Sequence, residues 1–540
     1  MIQPKCHAIV CGIIFITMVS KLVAEETRFD VDPIQKRIQK QMDLEQIPSL
    51  AVAVVSNGDI IWEKGFGWAD KARRIPATEH TMYSLASISK PITATGIMKL
   101  VENGQLDLDR PVNDYLVASK LIARVGNVQE ATIRRLLNHS SGLAVHYQFF
   151  YEDQPFSPPL RDETIRRYGV LVSEPGSIYQ YANLGYGVLD HVLSLVSGKT
   201  YADFMRSEVF LPLGMRHSSV YVDGRLESTV AVRYGNDQLP IPLYLFDHDG
   251  ASAVYSSAHD LSLFALLHLN TIRDDQIAPV NAQHVLAMQR ATIPIDQRSG
   301  YGIGWRITEN QSGYRIVSHT GGMPGVRTSL TMVPDERIAV IALANTETNL
   351  PHEIVDQVLE VLLKGNGASG LSNHRTDAPK TFKKPLVVND LHGHWKGEVE
   401  TFEGNRSFEL WIDSEGKIRV QLDGQLENPV VNANIQQGWL KGEFISDLRT
   451  TDTYRAPYRL QLNLKVDAEH MTGSLSAVSI YGSRTETQGK LPSRSHFALS
   501  HFTYLRRQDN LSQVRAPNEV KDNLVFPRQE PHYDVIRGSR

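Results

Sequence analysis

The sequence predicts an α+β architecture, an antiparallel sheet flanked by helices, with a separate all-β domain behind it. Three observations carry that expectation. Strand signals stand at both ends of the stretch from about residue 48 to 363, and a long, mainly helical and loop-rich region from Ala69 to Arg298 separates them. Ile338 to Ala344 is too uniformly apolar for anything but a buried strand. From about residue 386 to 508 the pattern changes to short alternating runs between polar turns, which suggests an antiparallel barrel or sandwich.

Residues 1–24 read as an export signal. Lys5 gives a basic start, Ala8 to Val19 form a mostly apolar run, and Ala24 is a residue to cut after. The run is short for a transmembrane helix, and Leu22, three residues before the cut, leaves an uncleaved anchor as the alternative. Both cysteines, Cys6 and Cys11, fall in this segment, so the chain after it has no disulfide, no catalytic thiol and no thiolate metal site. An export signal without disulfides suits a secreted or periplasmic protein. The 540 residues carry a formal charge of only −4 and no long basic run, which gives no support for a nucleic-acid partner. No later segment is apolar enough to span a membrane.

Leu50 to Val55, Asn57-Gly58 and Ile60-Ile61-Trp62 read as a hairpin with a tight turn. Next comes Ser87-Ile88-Ser89-Lys90-Pro91, leading into an apolar helical pattern that Gly104 stops. Pro91 belongs in the first turn of that helix, which places Ser87 at its start with Lys90 on the same face. A serine beside an amine, above the positive end of a helix dipole, has the environment of an activated nucleophile. Thr132 to Leu143 reads as a helix ending in a polar turn, His139-Ser140-Ser141-Gly142.

Two more stretches supply partners for Ser87. In Glu174 to Asn183 a Pro-Gly turn leads into Tyr181 and Asn183, which share a side if the piece is extended. A tyrosine serves as general base when nearby positive charge lowers its pKa from about 10, and Asn183 can hydrogen-bond a substrate amide. Ser318-His319-Thr320-Gly321-Gly322 ends a predicted strand, where glycines admit a substrate backbone and an N–H can join that of Ser87 in an oxyanion hole. Against these stand plainer readings: a core tyrosine with a satisfied hydroxyl, and one surface histidine among 19. Arg315 to Ser318 and Thr328 to Val333 are predicted strands, Pro334-Asp335-Glu336 a turn, and Ile354 to Leu362 an amphipathic helix closed by Gly365.

Ser-x-x-Lys at 87–90, Tyr-x-Asn at 181–183 and His-Thr-Gly at 319–321, in that order, resemble the serine penicillin-recognising enzymes. More narrowly, they resemble the family of class C β-lactamases, D-Ala-D-Ala carboxypeptidases, D-aminopeptidases and related esterases. The flanks agree: Val54 to Trp68, Leu106 to Val112, Pro212 to Met215 and Tyr301 to Trp305. The resemblance covers about residues 33–363 and implies a β-lactamase/transpeptidase-like fold without a cofactor, acting on a small molecule or peptide. It further implies that Ser87 forms an acyl-enzyme and that Lys90 and Tyr181 share the proton work, with Tyr181 the base and Lys90 stabilising its phenolate. Ser87 and Gly322 N–H would hold the oxyanion, while Asn183, His319, Thr320 and Gly321 would bind substrate. One departure bears on substrate. β-Lactamases of this class usually have lysine where this chain has His319, and histidine is more typical of the peptidase and esterase branches. That ranks D-stereospecific peptidase or carboxylesterase activity above β-lactamase activity, with Arg327 a candidate for the missing anion contact. The alternative of another class is a non-catalytic scaffold or binding protein keeping this fold.

The domain organisation read from the sequence is a signal at 1–24, a hydrolase domain at 25–363, a linker at 364–385, a β-barrel at 386–508 and a polar, disordered tail at 509–540. Gly393-His394-Trp395 resembles the opening of lipocalin-like barrels. His392 and His394 form a histidine pair with no third metal ligand in sight, and no metal site is assigned.

Overall fold

The computed structural model describes residues 29–365, 391–480 and 496–508, apart from 223–225, 227 and 311. The expected export signal, all but the first two residues of the expected linker, and the expected tail lie outside these. Among the described residues no helix is long and apolar enough to cross a membrane.

In chain order, the elements that build the site begin with helix α1 (Asp32–Glu45), the hairpin β1 (Ser49–Ser56) and β2 (Asp59–Asp70), and helix α2 (Ser89–Glu102). Strand β3 (Tyr147–Tyr151), helix α3 (Asn183–Ser197), strand β4 (Tyr244–Phe246), the short helix α4 (Asp249–Ser252) and helix α5 (Ala258–His268) follow. Strands β5 (Arg306–Glu309), β6 (Arg315–Met323), β7 (Val326–Val333) and β8 (Ile338–Ala344) precede helix α6 (Leu350–Gly365). The main sheet is antiparallel, with the central order β5-β6-β7-β8-β1-β2. Thus the first hairpin of the chain docks beside the last strand of the domain, with Val52 opposite Ala342. Asn57 and Gly58 both take positive φ, 54° and 89°, the mirror-image turn that their sequence signals.

The sheet is the middle of three layers, and the period-2 alternation of β1 shows why. Leu50, Val52 and Val54 face a core with Ile34 and Ile38 of α1 and Ile354, Val355 and Val358 of α6. Ala51, Ala53 and Val55 face the opposite core, with Ile92 of α2 and Leu261 and Phe264 of α5. The apolar run Ile338 to Ala344 is buried throughout because it lies between both helical layers.

The C-terminal strands are β9 (Gly393–Thr401), β10 (Gly404–Ile412), β11 (Ile418–Leu422), β12 (Val431–Gln436), β13 (Trp439–Phe444), β14 (Tyr458–Val466), β15 (His470–Ser479) and β16 (Phe497–Gln508). They pair antiparallel in the order β11-β10-β9-β16-β15-β14-β13-β12, a nearly closed barrel. Its interior is filled by Trp395, Phe408, Leu440, Leu462 and Leu475. The barrel is not a remote attachment: β16 pairs with β3 of the first domain, Phe497 opposite Gln148 and Ala498 opposite Tyr147. Arg124–Glu400 and the Arg167 guanidinium over Phe402 tie the two parts further.

Candidate active site

The nucleophile turn is a single turn of 3-10 helix, Ala86–Ile88, running into α2 at Ser89. Ala86 holds φ at 49°, a left-handed conformation that costs an alanine about 1–2 kcal/mol. Its neighbours keep it there. The Leu85 N–H donates to Val254 O (2.9 Å), Leu85 O accepts from Thr328 Oγ1 (2.9 Å), and Ser89 Oγ accepts from Val254 N (3.0 Å). Strand β6 presses against the turn at Gly321, where a β-carbon would stand 2.2 Å from Leu85 O. The strain is thereby fixed in place, and Ser87 projects into a cleft.

Lys90 is fully buried, and among the described residues no carboxylate pairs with it. Its Nζ lies 2.8 Å from Asn183 Oδ1, 3.1 Å from Ala251 O and 3.2 Å from Ser87 Oγ. Burial holds its pKa well below the ordinary lysine value. A neutral amine has two N–H bonds and one lone pair. In that form two of the three oxygens around Lys90 take its N–H bonds and the lone pair is left for the third. The amine sits above the Tyr181 ring at 4.7 Å.

The Tyr181 hydroxyl interacts with Ser87 in the cleft, but burial drives its pKa up rather than down. Burial of both groups works against a resting phenolate stabilised by a lysine cation. Desolvation acts on both groups in the direction that removes charge. Asn183 is the first residue of α3 rather than part of an extended strand, and Lys90 donates to its amide oxygen. His139, read from sequence as part of a turn, stacks on Tyr181 with ring centroids 4.2 Å apart, and its Nδ1 accepts from Ala182 N at 3.2 Å. Its φ of 61° is what turns the ring under Tyr181.

His319 is buried, 7% exposed, instead of lying on the surface. Its Nδ1 lies 2.8 Å from the Thr320 carbonyl and so carries the proton, and its Nε2 accepts from the Tyr301 hydroxyl at 2.8 Å. With both nitrogens occupied, and a pKa pushed down to about 3 by burial, it is an uncharged group bracing β6. Thr320 and Gly322 are exposed on that strand, and Gly322 lines the cleft with Ser87. Arg327, opposite Gly322 in the β6–β7 register, lines the same cleft together with Glu347, whose pKa burial raises.

The cleft has a volume of about 440 Å³, within the usual range for small-molecule sites. Behind it, Asp247 accepts from His248 Nδ1 (2.7 Å), His146 Nε2 (2.8 Å) and Gln148 Nε2 (2.9 Å), all buried. Donor atoms of His146, Asp247 and His248 lie within 4.8 Å of one another. However, the two rings meet different oxygens of the carboxylate, and His146 Nδ1 and His248 Nε2 have no partner, whereas a ligating histidine usually has its far nitrogen held. The cluster reads as a hydrogen-bonded brace. In the barrel, His394 bonds Glu409 at 2.8 Å and stacks on Trp411. Arg161 bonds Asp190 (3.0 Å) and Asp249 (3.1 Å), and Asp190 takes the N–H of Gly250 (2.7 Å). That network fixes α4 and with it the Ala251 carbonyl that meets Lys90.

Comparison with known proteins places the chain in a family and a fold. The family model described as Beta-lactamase matches residues 34–363. The chain is 28% identical to penicillin-binding protein 4* of Bacillus subtilis (strain 168), over 69% of this chain and 85% of that one. It is 27% identical to an unguisins hydrolase of Aspergillus campestris, over 64% of this chain and 68% of that one. Among solved structures, the octameric penicillin-binding protein homologue from Pyrococcus abyssi superposes with a TM-score of 0.55 at 23% identity, covering 87% of this chain and all of the other. SurE, solved with D-Leu, superposes with a TM-score of 0.57 at 19% identity, covering 83% of this chain and 97% of its own.

Proposed function

The chain belongs to the β-lactamase family and is a serine hydrolase of that family, and from this premise we propose that it is an exported peptidase or carboxylesterase working through an acyl-enzyme on Ser87. The observation that supports the mechanism is the set of three oxygens around the Lys90 amine, Ser87 Oγ, Asn183 Oδ1 and Ala251 O; in the neutral amine the last two take its N–H bonds and the lone pair is left for Ser87. Ser87 Oγ attacks the substrate carbonyl carbon while its proton passes to Lys90 Nζ. The oxyanion is held by the N–H groups of Ser87 and Gly322. Collapse expels the leaving group, which takes a proton delivered through the Tyr181 hydroxyl. Water then attacks the acyl-serine and returns its proton to the same pair, releasing the acid and free Ser87.

Peptidase or esterase activity ranks above β-lactamase activity because the residue at 319 is an uncharged histidine locked onto Tyr301, where a lactamase-type lysine would offer a cation. Arg327 remains as a cation in the cleft and favours acyl substrates bearing a carboxylate, as a peptide C-terminus does. The preference for D-residues follows the branch of the family that this histidine resembles. Side-by-side turnover of a chromogenic cephalosporin, a short-chain nitrophenyl ester, D-Ala-D-Ala peptides and D-amino-acid amides tests the ranking, and a strong preference for the cephalosporin overturns it. A fluorophosphonate adduct that is lost in Ser87→Ala tests the nucleophile. Absence of adduct in the unaltered protein would favour a scaffold keeping this fold.

A further inference from the structure

One wall of the cleft is built from three parts of the chain that lie far apart in sequence. Tyr147 and Phe149 come from β3, Met323 and Pro324 from the end of β6 and the residue after it, and His496 immediately precedes barrel strand β16. The wall is a stacked aromatic assembly. Phe149 lies parallel to Tyr244 (centroids 5.1 Å apart, 2° between planes) and nearly parallel to His496 (5.6 Å, 14°), while Tyr147 packs at 5.8 Å. Backbone bonds fix its parts: Phe149 N donates to His496 O (2.9 Å), and the Tyr244 hydroxyl donates to Pro324 O (2.8 Å). Burial pushes the His496 pKa down to about 4, so at neutral pH the ring is an uncharged aromatic face.

We propose that Tyr147, Phe149, Met323 and His496 form an apolar subsite that receives a bulky apolar or aromatic substituent beside the scissile carbonyl. His496 makes the barrel part of the substrate-binding surface. The inference rests on Ser87 being the nucleophile, because it is the presence of Ser87 in the same cleft that places a substrate against this wall. The physical reason is the mismatch between the two linings. The chemistry needs only Ser87, Lys90, Tyr181 and the oxyanion donors. Of the remaining lining, Asn183, Arg327 and Glu347 are polar, whereas this wall presents aromatic and thioether carbon, which binds through dispersion and water release. Packing such rings against an apolar group gains more than packing them against water. Each methylene that becomes buried should improve kcat/KM about threefold to fourfold.

The test uses the full chain and two substrate series at pH 7.5. One holds a nitrophenolate leaving group and runs the acyl group from acetyl through butanoyl to octanoyl and phenylacetyl. The other holds the acyl group and enlarges the alcohol or amine from methyl to benzyl. At least one series should show kcat/KM rising tenfold or more with apolar size, mainly through KM. His496→Ala should cut the large-to-small ratio in that series by about tenfold, and His496→Phe, which keeps the stacking face, should restore it. Leu426→Ser, on an exposed barrel position, is the control and should keep the unaltered ratio. A ratio near one in both series, or one that His496→Ala leaves unchanged, overturns the subsite. Ser87→Ala separates this from failure of the hydrolase reading: residual turnover of the acetyl ester in that variant would sink the nucleophile itself, whatever the ratios. Fluorophosphonate labelling of His496→Ala reports whether its site is folded.

Discussion

Gly321 and Leu85 approach so closely that a β-carbon on the glycine would stand 2.2 Å from the Leu85 carbonyl oxygen. Both partners are backbone, so neither can swing aside as a flexible side chain would. Gly321→Ala should therefore push β6 off the nucleophile turn and misplace Ser87 relative to Gly322. A displacement of this kind, approaching an ångström, lowers kcat/KM about a hundredfold. Gly104→Ala is the contrast: its β-carbon would meet open space, and only the φ of 71° penalises it, by about 1–2 kcal/mol. Steady-state kinetics and thermal melts on both variants should separate lost activity in the first from modest lost stability in the second.

Lys90 should make the folded protein less stable at neutral pH than at alkaline pH. Its folded pKa lies well below the unfolded value of about 10.4, so the unfolded chain binds the extra proton throughout that window. The amine imposes no penalty above the unfolded value, and the penalty grows as pH falls toward the folded one. Lys90→Met removes the group and strands two acceptors, Asn183 Oδ1 and Ala251 O, at a cost nearly independent of pH. Denaturant unfolding of the two proteins between pH 7 and 10 should show the unaltered protein gaining on Lys90→Met by up to about 1.4 kcal/mol per pH unit. Parallel stability curves would mean that the amine is protonated in the folded state.

Much of this was legible before any coordinates. The hairpin turn at Asn57-Gly58, the helix stop at Gly104, and the buried strand from Ile338 to Ala344 follow from backbone chemistry and apolar periodicity, which act locally. The convergence of the three motifs was legible only through their order and flanks, because spacing along a chain does not encode distance across it. The charge states were not legible at all. Sequence places an amine near Ser87 and a phenol in its motif, but desolvation depends on the fold closing over them, and it works against the expected phenolate. His139 reads from sequence only as part of a turn because a histidine in a polar turn has no further signature until its positive φ is known. His496 escaped notice because its role arises from a strand pairing across some 350 positions, a contact to which no local pattern points.

Asp247 should be the point at which the structure is most sensitive to acid on this side of the cleft. Its carboxylate accepts three buried hydrogen bonds, from His146, His248 and Gln148, and they hold its pKa well below the usual carboxylate range despite burial. A depressed carboxylate contributes stability that is present above the unfolded value of about 3.9 and is lost as pH falls through the folded value. Asp247→Asn cannot accept from both rings and Gln148 in the same way, and breaking a buried pair of this kind costs about 3–5 kcal/mol. Thermal melts from pH 7 to pH 3 should show a lower melting temperature for the variant at pH 7 and a smaller difference between the two proteins at pH 3. Equal melting temperatures at pH 7 would show that the carboxylate contributes nothing to the brace.

The dependence of rate on pH distinguishes the two proton acceptors beside Ser87. If Lys90 takes the first proton, kcat/KM rises as pH climbs through the lowered pKa of the amine and then reaches a plateau. Tyr181 should add no limb near pH 10, because burial moves its ionisation above that. A phenolate base would give the opposite signature, a rate still climbing as pH approaches 10. Tyr181→Phe keeps the ring under Lys90 and against His139 while removing the hydroxyl that interacts with Ser87. It should lower kcat about 10²- to 10⁴-fold, the usual worth of a positioned proton carrier, yet leave the acid limb of the profile where it was. Stopped-flow bursts with a nitrophenyl ester should then still detect acylation in Tyr181→Phe but none in Lys90→Met, since only the latter lacks the lone pair that faces the nucleophile. A limb that moves in Tyr181→Phe, or a burst that survives in Lys90→Met, would transfer the role of base from the amine to the phenol.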